Sequence, residues 1–588
     1  MRNRARQAIL AAAMTLFAAS GAVSAQQNAA VVTRPAGAAL PVVRPVIGCE
    51  ALATRRLDEA VGAETRISAS VIDTPKGQFC AVKGTIAPAI GFEVYLPVAR
   101  WTQRYLQAGC GGLCGSINAS IGQAGRCLPA TEGEFVVAAS DLGHQGRMGA
   151  PGEGDFADDP QKRIDFAYRA NHLTALAAKA LIRAYYGQPQ RYAYFSGCSD
   201  GGREALMEAQ RYPDDFDGIS AGAPAMLFQV QNSFWHAWTT AANLRPDGTN
   251  ILSAAKLPIL HATVIAHCDM ADGAKDGLLA DPRACTPDPR WNACPDGATD
   301  TAGCLTREEW AAALRLYAGP SDAAGHRFLP GGAQPGSELL WNVGNGSGRG
   351  GPGGGMLANM TKVVYRDPRR AEAQAASFPF TTGQFARVNE LHPLNDATDP
   401  DLGRFGGHGG KLLMYHGWSD TSIAPMISIA YYQSVLRVMG ADATDRSVRL
   451  FMVPGMSHCG GGDGFPQIDT LSPLMAWVES GEAPSEIVAD RIDDGSRPSG
   501  GPDGRGGGLG KSRAVAPYAQ PARTPLASRP LYPFPRVARY SGAGDPKEAR
   551  NWVATMGEAA PLDWYGATLL SPGYQKSYLV RDGRLAQQ

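Results

Sequence analysis

The stretch YFSGCSDGGREAL, Tyr194–Leu206, decides how the chain folds. Around it, RYAYFSG (191–197) has strand character, and GGREALMEAQRYP (201–213) has helical spacing that stops at Pro213. Gly197-Cys198-Ser199-Asp200-Gly201 therefore sets a G-x-S-x-G pattern on a strand-to-helix turn. A turn that sharp needs small neighbours, and it lifts the serine hydroxyl above the sheet. It also aims the backbone N–H of Asp200, at a helix N-terminus, toward an oxyanion forming beside Ser199.

The same alternation continues on both sides. GFEVYLPV (91–98), RYLQAG (104–109), FVVAASD (135–141) and DGISAGAP (217–224) read as strands, and 171–187 reads as a helix ending at a glycine. Strand–helix alternation predicts an α/β fold with a mostly parallel sheet covered by helices, its first part spanning 48–224. From 225 to 405 the pattern breaks into tryptophans, paired cysteines and the glycine-rich run VGNGSGRGGPGGG (343–355), the signature of an inserted lid domain. It resumes over 406–545 with GGKLLMYHGWSD (409–420), a helix at 428–439, the strand VRLFMVPGMSHC (448–459) and a helix at 471–481. Residues 496–512 read as a mobile surface loop, and 546–588 form a C-terminal tail without an assignment.

A serine hydroxyl is a weak nucleophile and needs a base and an orienting carboxylate. In α/β-hydrolase folds these follow the serine in the order acid, then histidine. Asp420 and His458 each sit just past a predicted strand, where such folds place their sites. His416 and His236 are rival bases and Asp463 a rival acid; His416, at a strand end, reads as structural. The glycine-rich turn in LQAGCGGLCGS (106–116) is the candidate second half of an oxyanion hole.

The 588 residues include 55 basic and 55 acidic side chains, with 44% hydrophobic and 19% charged residues. This suits a globular protein, and the balance of charge points to neither nucleic acid nor a membrane surface. The first 25 residues carry Arg2, Arg4 and Arg6, a short apolar run and the small-residue end Ala-Val-Ser-Ala. That is the pattern of a signal peptide cleaved after Ala25, with an uncleaved anchor as the alternative. Residues 26–47 read as a linker. The expected location is periplasmic or secreted, so the 11 cysteines are expected to form disulfides rather than zinc sites. Spacing suggests Cys49 with Cys80, Cys268 with Cys285 and Cys294 with Cys304. Cys110, Cys114 and Cys127 form a group of open pairing, and Cys198 and Cys459 have no local partner.

CDMADGAKDGLLADPRAC (268–285) brings Asp269, Asp272 and Asp276 into one short loop between two cysteines. Hard oxygen donors on glycine-assisted turns suit Ca²⁺ in a structural role, although the spacing is not that of an EF-hand.

Taken together, GCSDGG, YHGWSD and VPGMSHC resemble the tannase/feruloyl esterase family, whose mark is a Cys-Ser, Asp, His-Cys motif. The segments DATDPDLGRFGGHGGKLLMYHGWSD and CDMADGAKDG add to the likeness, which runs from about Cys49 to about Asp545. The resemblance implies an α/β-hydrolase fold with Ser199 as nucleophile, Asp420 as orienter, His458 as base and a Cys198–Cys459 disulfide. It implies oxyanion donors at the N–H groups of Gly112 and Asp200. It also implies Ca²⁺ on Asp269, Asp272 and Asp276, with the backbone oxygens of Ala274 and Leu278. The sequence departs from some relatives at RPLYPFP (529–535), where Tyr532 replaces a cysteine. The implied activity is an exported serine carboxylesterase acting on small aromatic esters of feruloyl type, with gallate esters as the alternative. A terephthalate-monoester hydrolase and a non-catalytic binding protein are further readings. Phe234, Trp235 and Trp238 are candidates for an acyl pocket or for lid core, and the oligomeric state stays open.

Overall fold

Buried strands with apolar residues on both faces need helices on both sides, and the central sheet of the computed structural model is built that way. Its nine strands are β1 (Thr65–Thr74), β2 (Gly77–Ile86), β3 (Ile90–Pro97), β4 (Arg104–Ala108), β5 (Phe135–Ser140), β6 (Tyr192–Cys198), β7 (Gly218–Gly222), β8 (Lys411–Gly417) and β9 (Val448–Val453). They run in the order β1-β2-β3-β5-β4-β6-β7-β8-β9. The six from β5 to β9 in that order pair in parallel. β1, β2 and β3 join antiparallel, so the sheet is mixed. The difference from an all-parallel core is physical: β1 alternates exposed and covered residues, which an antiparallel wing tolerates, whereas β4, β5 and β7 are buried along their whole length.

The structure describes residues 37–119, 121–341, 343, 352–371, 374–492 and 525–588, and these belong to one unit, Ala36–Gln588. The expected signal peptide, the first part of the linker, residues 344–351 of the glycine-rich run and the loop 496–512 lie outside the described residues.

Alternate strand residues feed two cores. Leu106, Tyr194, Leu413 and Phe451 pack with the helix Leu471–Ser480, while Tyr105, Phe195, Leu412 and Leu450 join the core holding the helices Ala170–Tyr186, Asp200–Arg211 and Met426–Met439. Between Gly222 at the end of β7 and Lys411 at the start of β8, the chain leaves the sheet for the insertion. Its interior is aromatic: the Phe234 ring lies 4.7 Å from Phe328, 5.1 Å from Phe378, 5.8 Å from Phe380 and 5.6 Å from Phe385, centroid to centroid. Trp238 packs edge-on to Phe380 at 4.9 Å. Phe234 and Trp238 thus form part of the insertion's core.

The tail is a strap. Tyr565 N–H donates to the Arg327 carbonyl at 2.8 Å, its ring packs on Phe328 and Phe385, and Tyr574 OH donates to the Asp396 carbonyl at 2.6 Å. Farther on, Tyr578 N–H donates to Tyr168 OH at 3.0 Å, so the tail touches both the insertion and the helical layer of the core.

Candidate active site

The turn after β6 holds Ser199 at φ 66° and ψ −123°, a conformation that costs a non-glycine residue about 1–3 kcal/mol and persists only where surroundings enforce it. Four backbone bonds enforce it: Ser199 N–H to the Gly222 carbonyl, and Gly202, Arg203 and Ala225 N–H to the Ser199 carbonyl, at 3.0, 3.0, 3.1 and 2.9 Å. The turn also requires its glycines. A Cβ on Gly197 would lie 2.3 Å from the Gly201 carbonyl oxygen, and one on Gly201 would lie 2.9 Å from that of Cys110. The nucleophile turn and the turn after β4 therefore touch backbone to backbone.

His458 Nε2 lies 2.8 Å from Ser199 Oγ, and His458 Nδ1 lies 2.7 Å from Asp420 Oδ2. Nδ1 donates to the carboxylate, which leaves Nε2 as the acceptor for the serine proton. Asp420 is fully buried, and its Oδ1 accepts from Ser422 N–H at 2.8 Å and Ile423 N–H at 2.9 Å. Burial opposes an ionised Asp420, but the charge of His458 and hydrogen bonds from His416 and His458 outweigh it and hold the carboxyl well below the usual range. Burial likewise opposes a charged His458, yet the charge and hydrogen bond of Asp420 raise its imidazole above the ordinary value.

The rivals fall elsewhere. His236 sits on the insertion with its Nδ1 buried and unpartnered; burial drops its imidazole to about 4. Its neighbours grip the loop after Asp420: Trp235 Nε1 donates to the Thr421 carbonyl at 3.2 Å and Gln231 Nε2 to that of Ser422. Asp463 lines a small cavity with His261, Leu278 and Trp418, and its carboxylate is not a partner of His458. His416 contacts Asp420 but not Ser199.

The turn after β4 carries Gly112 at φ 67° inside a ring closed by a Cys110–Cys114 disulfide. Met148 lies over it, so that a Cβ on Gly112 would meet the Met148 methyl at 3.0 Å. Two buried carboxylates hold this ring. Glu153 accepts from Leu113 N–H at 3.3 Å and Gly149 N–H at 2.6 Å. Glu204, on the helix that begins at Asp200, accepts from Cys110 N–H at 3.2 Å and Asn171 Nδ2 at 2.7 Å. Asp200 itself is fixed by Arg203 at 2.6 Å, whose guanidinium stacks on Phe166 and Phe228. These braces carry no sequence motif; Glu204 and Arg203 are one helical turn past Ser199, and that spacing is the only trace.

The other cysteines pair as Cys49–Cys80, Cys198–Cys459, Cys268–Cys285 and Cys294–Cys304. Cys127 is left free and buried, and burial pushes its thiol up to about 12.

In the acidic loop, Asp269 Oδ1 accepts from Gly277 N–H at 3.0 Å and from the N–H groups of Asp276 and Leu278 at 3.2 and 3.3 Å. Arg529, absent from the sequence-based expectation, pairs with Asp276 and stacks 3.3 Å above the Trp552 ring. Asp272 Oδ1 accepts from Ala274 N–H at 3.0 Å, but its buried Oδ2 has no hydrogen-bond partner, and Arg529 Nη1 is 3.7 Å away. Burial raises the Asp272 carboxyl to about 6. Among the described residues the acidic side chains do not close into a ready chelating group. Their charge and oxygen chemistry fit a divalent cation nonetheless: Asp272 and Asp276 face one guanidinium, Asp269 faces only backbone N–H groups, and one buried oxygen of Asp272 is orphaned.

An α/β-hydrolase fold presenting serine, histidine and aspartate in one hydrogen-bonded line is the architecture of a serine esterase. The chain belongs to the tannase and feruloyl esterase family, whose model matches residues 71–555. It is 34% identical over 552 residues to an uncharacterized esterase of Xanthomonas campestris pv. campestris, covering 84% of this chain and 87% of that one. It is 32% identical over 541 residues to the mono(2-hydroxyethyl) terephthalate hydrolase of Piscinibacter sakaiensis, covering 81% and 84%. The crystal structure of feruloyl esterase B from Aspergillus oryzae is similar at a TM-score of 0.67 and 25% identity, over 84% of this chain and 96% of that one. The chain is a carboxylesterase acting on small-molecule esters.

Proposed function

We propose that the chain is an exported hydrolase of aromatic carboxylic esters of the hydroxycinnamate type, working through an acyl-enzyme on Ser199. The observation that carries this is the line Ser199 Oγ–His458–Asp420, with contacts of 2.8 and 2.7 Å. His458 Nε2 takes the hydroxyl proton as Ser199 Oγ attacks the ester carbonyl. The N–H groups of Gly112 and Asp200 receive the oxyanion. His458 passes its proton to the leaving alcohol, then removes one from the water that attacks the acyl carbonyl. Collapse releases the acid, and the proton returns to Ser199. Likeness to feruloyl esterase B supports the acyl group; the leader pattern and five disulfides support export.

Hydrolysis of methyl ferulate by wild type and by Ser199→Ala tests the reaction. Loss of turnover in the variant is expected, and equal rates would remove the proposal. Methyl gallate and mono(2-hydroxyethyl) terephthalate, run in parallel, test the acyl specificity; faster turnover of either would reassign the substrate.

Calcium belongs to the same proposal. Asp269, Asp272 and Asp276, with the carbonyls of Ala274 and Leu278, would hold Ca²⁺ and neutralise an acidic loop that Arg529 alone does not balance. Its role there is structural, tying together the two ends of the loop that Cys268–Cys285 closes. Chelation should lower the melting temperature and Ca²⁺ should restore it. A melting curve indifferent to both would exclude the ion.

A further inference from the structure

The carboxylate that orients His458 carries a second histidine. His416, near the end of β8, is fully buried and four residues before Asp420. Its Nε2 lies 3.2 Å from Asp420 Oδ2 and 3.1 Å from the Ile423 carbonyl oxygen. Both are acceptors, so Nε2 bears a hydrogen. Its Nδ1 lies 2.8 Å from Ser428 Oγ, on the helix Met426–Met439. Nε2 is thus committed as the donor, and Nδ1 is left facing a hydroxyl able to donate to it.

We infer that His416 is a positioning residue for the hydrolysis proposed above, a neutral second donor that fixes the Asp420 carboxylate without cancelling its charge. The donor count supports this. Oδ1 is taken by two backbone N–H groups and Oδ2 by two imidazoles, so the carboxylate has no free rotation left. A lysine or arginine at this point would hold the carboxylate equally well, but its charge would oppose the imidazolium that forms at His458. A neutral N–H leaves the negative charge available to that imidazolium. Sharing Oδ2 between two donors also trims the pull of Asp420 on His458. Removing one donor therefore makes His458 more basic and less well aimed. His236, from the insertion, is the other imidazole whose charge would reach His458, and burial holds it down to about 4.

The test compares His416→Gln with His416→Asn. The glutamine amide nitrogen overlays the imidazole Nε2 and keeps the donor to Asp420; the asparagine amide reaches only as far as Nδ1 and loses it. His416→Asn should lower kcat by about tenfold with KM unchanged, less than the roughly 10²-fold that misplacing a reacting group costs. The acid limb of its kcat/KM profile should move to higher pH. His416→Gln should stay within about threefold of wild type and keep the wild-type limb. Equal kcat and equal acid limbs in the two variants would overturn the role, because a packing residue would not distinguish them. Should neither variant fold, nitrogen-15 imidazole spectra of the wild-type enzyme decide: His416 must remain the neutral Nε2–H tautomer across the pH range where activity rises. A proton on Nδ1 in that range would overturn the inference. Ser199→Ala is the control. An active Ser199→Ala would remove the underlying triad, whereas an inactive one beside indistinguishable His416 variants would remove this inference alone.

Discussion

His458 Nε2 and Ser199 Oγ stand 2.8 Å apart across 259 residues of chain, and the residue beside each of them is a cysteine of one disulfide, Cys198–Cys459. The bond restrains nucleophile and base from their immediate neighbours, so its loss should be felt in both stability and rate. Replacing both cysteines by alanine is expected to cost about 2–5 kcal/mol in denaturant unfolding and to lower kcat. Unchanged stability and unchanged kcat would show that the bridge holds nothing.

His458 must be neutral to accept the serine proton. Asp420 raises its folded value above that of a free imidazole, so a larger share is protonated at any given acidic pH. The acid limb of kcat/KM should therefore lie above the ordinary value of about 6.5. The same shift means that this pair stabilises the fold fully below about 6.5, and that the contribution is lost as pH rises through the folded value. A limb at or below the free-imidazole value would contradict the Asp420 contact.

Glu153 binds Leu113 N–H, next to the candidate oxyanion donor Gly112. Glu153→Ala frees that turn and leaves Ser199 and His458 in place. Its kcat should fall by about 10- to 100-fold with KM little changed, approaching the loss seen when one oxyanion donor is removed. A rise in KM at constant kcat would place Glu153 in substrate binding instead.

Phe234 is fully buried among four phenylalanine rings. Phe234→Ala is expected to cost about 3–5 kcal/mol by thermal or denaturant unfolding, the range for emptying an aromatic core position. A stability loss under about 1 kcal/mol, with changed acyl preference, would make it a pocket wall rather than core.

The central sheet was legible because its strands are buried on both faces and read as continuous apolar runs: FVVAAS and KLLMYHG became strands within a residue or two, while the strand expected over 448–459 stops at Val453, where Pro454 and Gly455 turn the chain toward His458. The β1–β2 hairpin was not, since TRISASVIDT alternates polar and apolar residues without a long apolar stretch. In the site, the order of Ser199, Asp420 and His458 could be read because each follows a strand, and the structure sets them in one line. The braces could not be read. Glu153, Glu204, His416 and Arg529 act through contacts 40, 94, 4 and 253 residues away, and no local spacing announces a long-range pair. His416, the one exception in distance, reads as structural in the sequence because a histidine at a strand end shows nothing of its partner.

The disulfide pattern bears on how the enzyme is made. Four bridges join cysteines that are consecutive in the chain, while Cys198–Cys459 encloses two of those bridges. Cys127 is the unpaired thiol that precedes Cys198. An oxidase that couples thiols in order of emergence would join Cys127 to Cys198 and strand Cys459, producing a chain with its serine and histidine kept apart. Reaching the native set from such a chain takes thiol–disulfide exchange, so adding a disulfide isomerase to oxidative refolding should raise the yield of active enzyme.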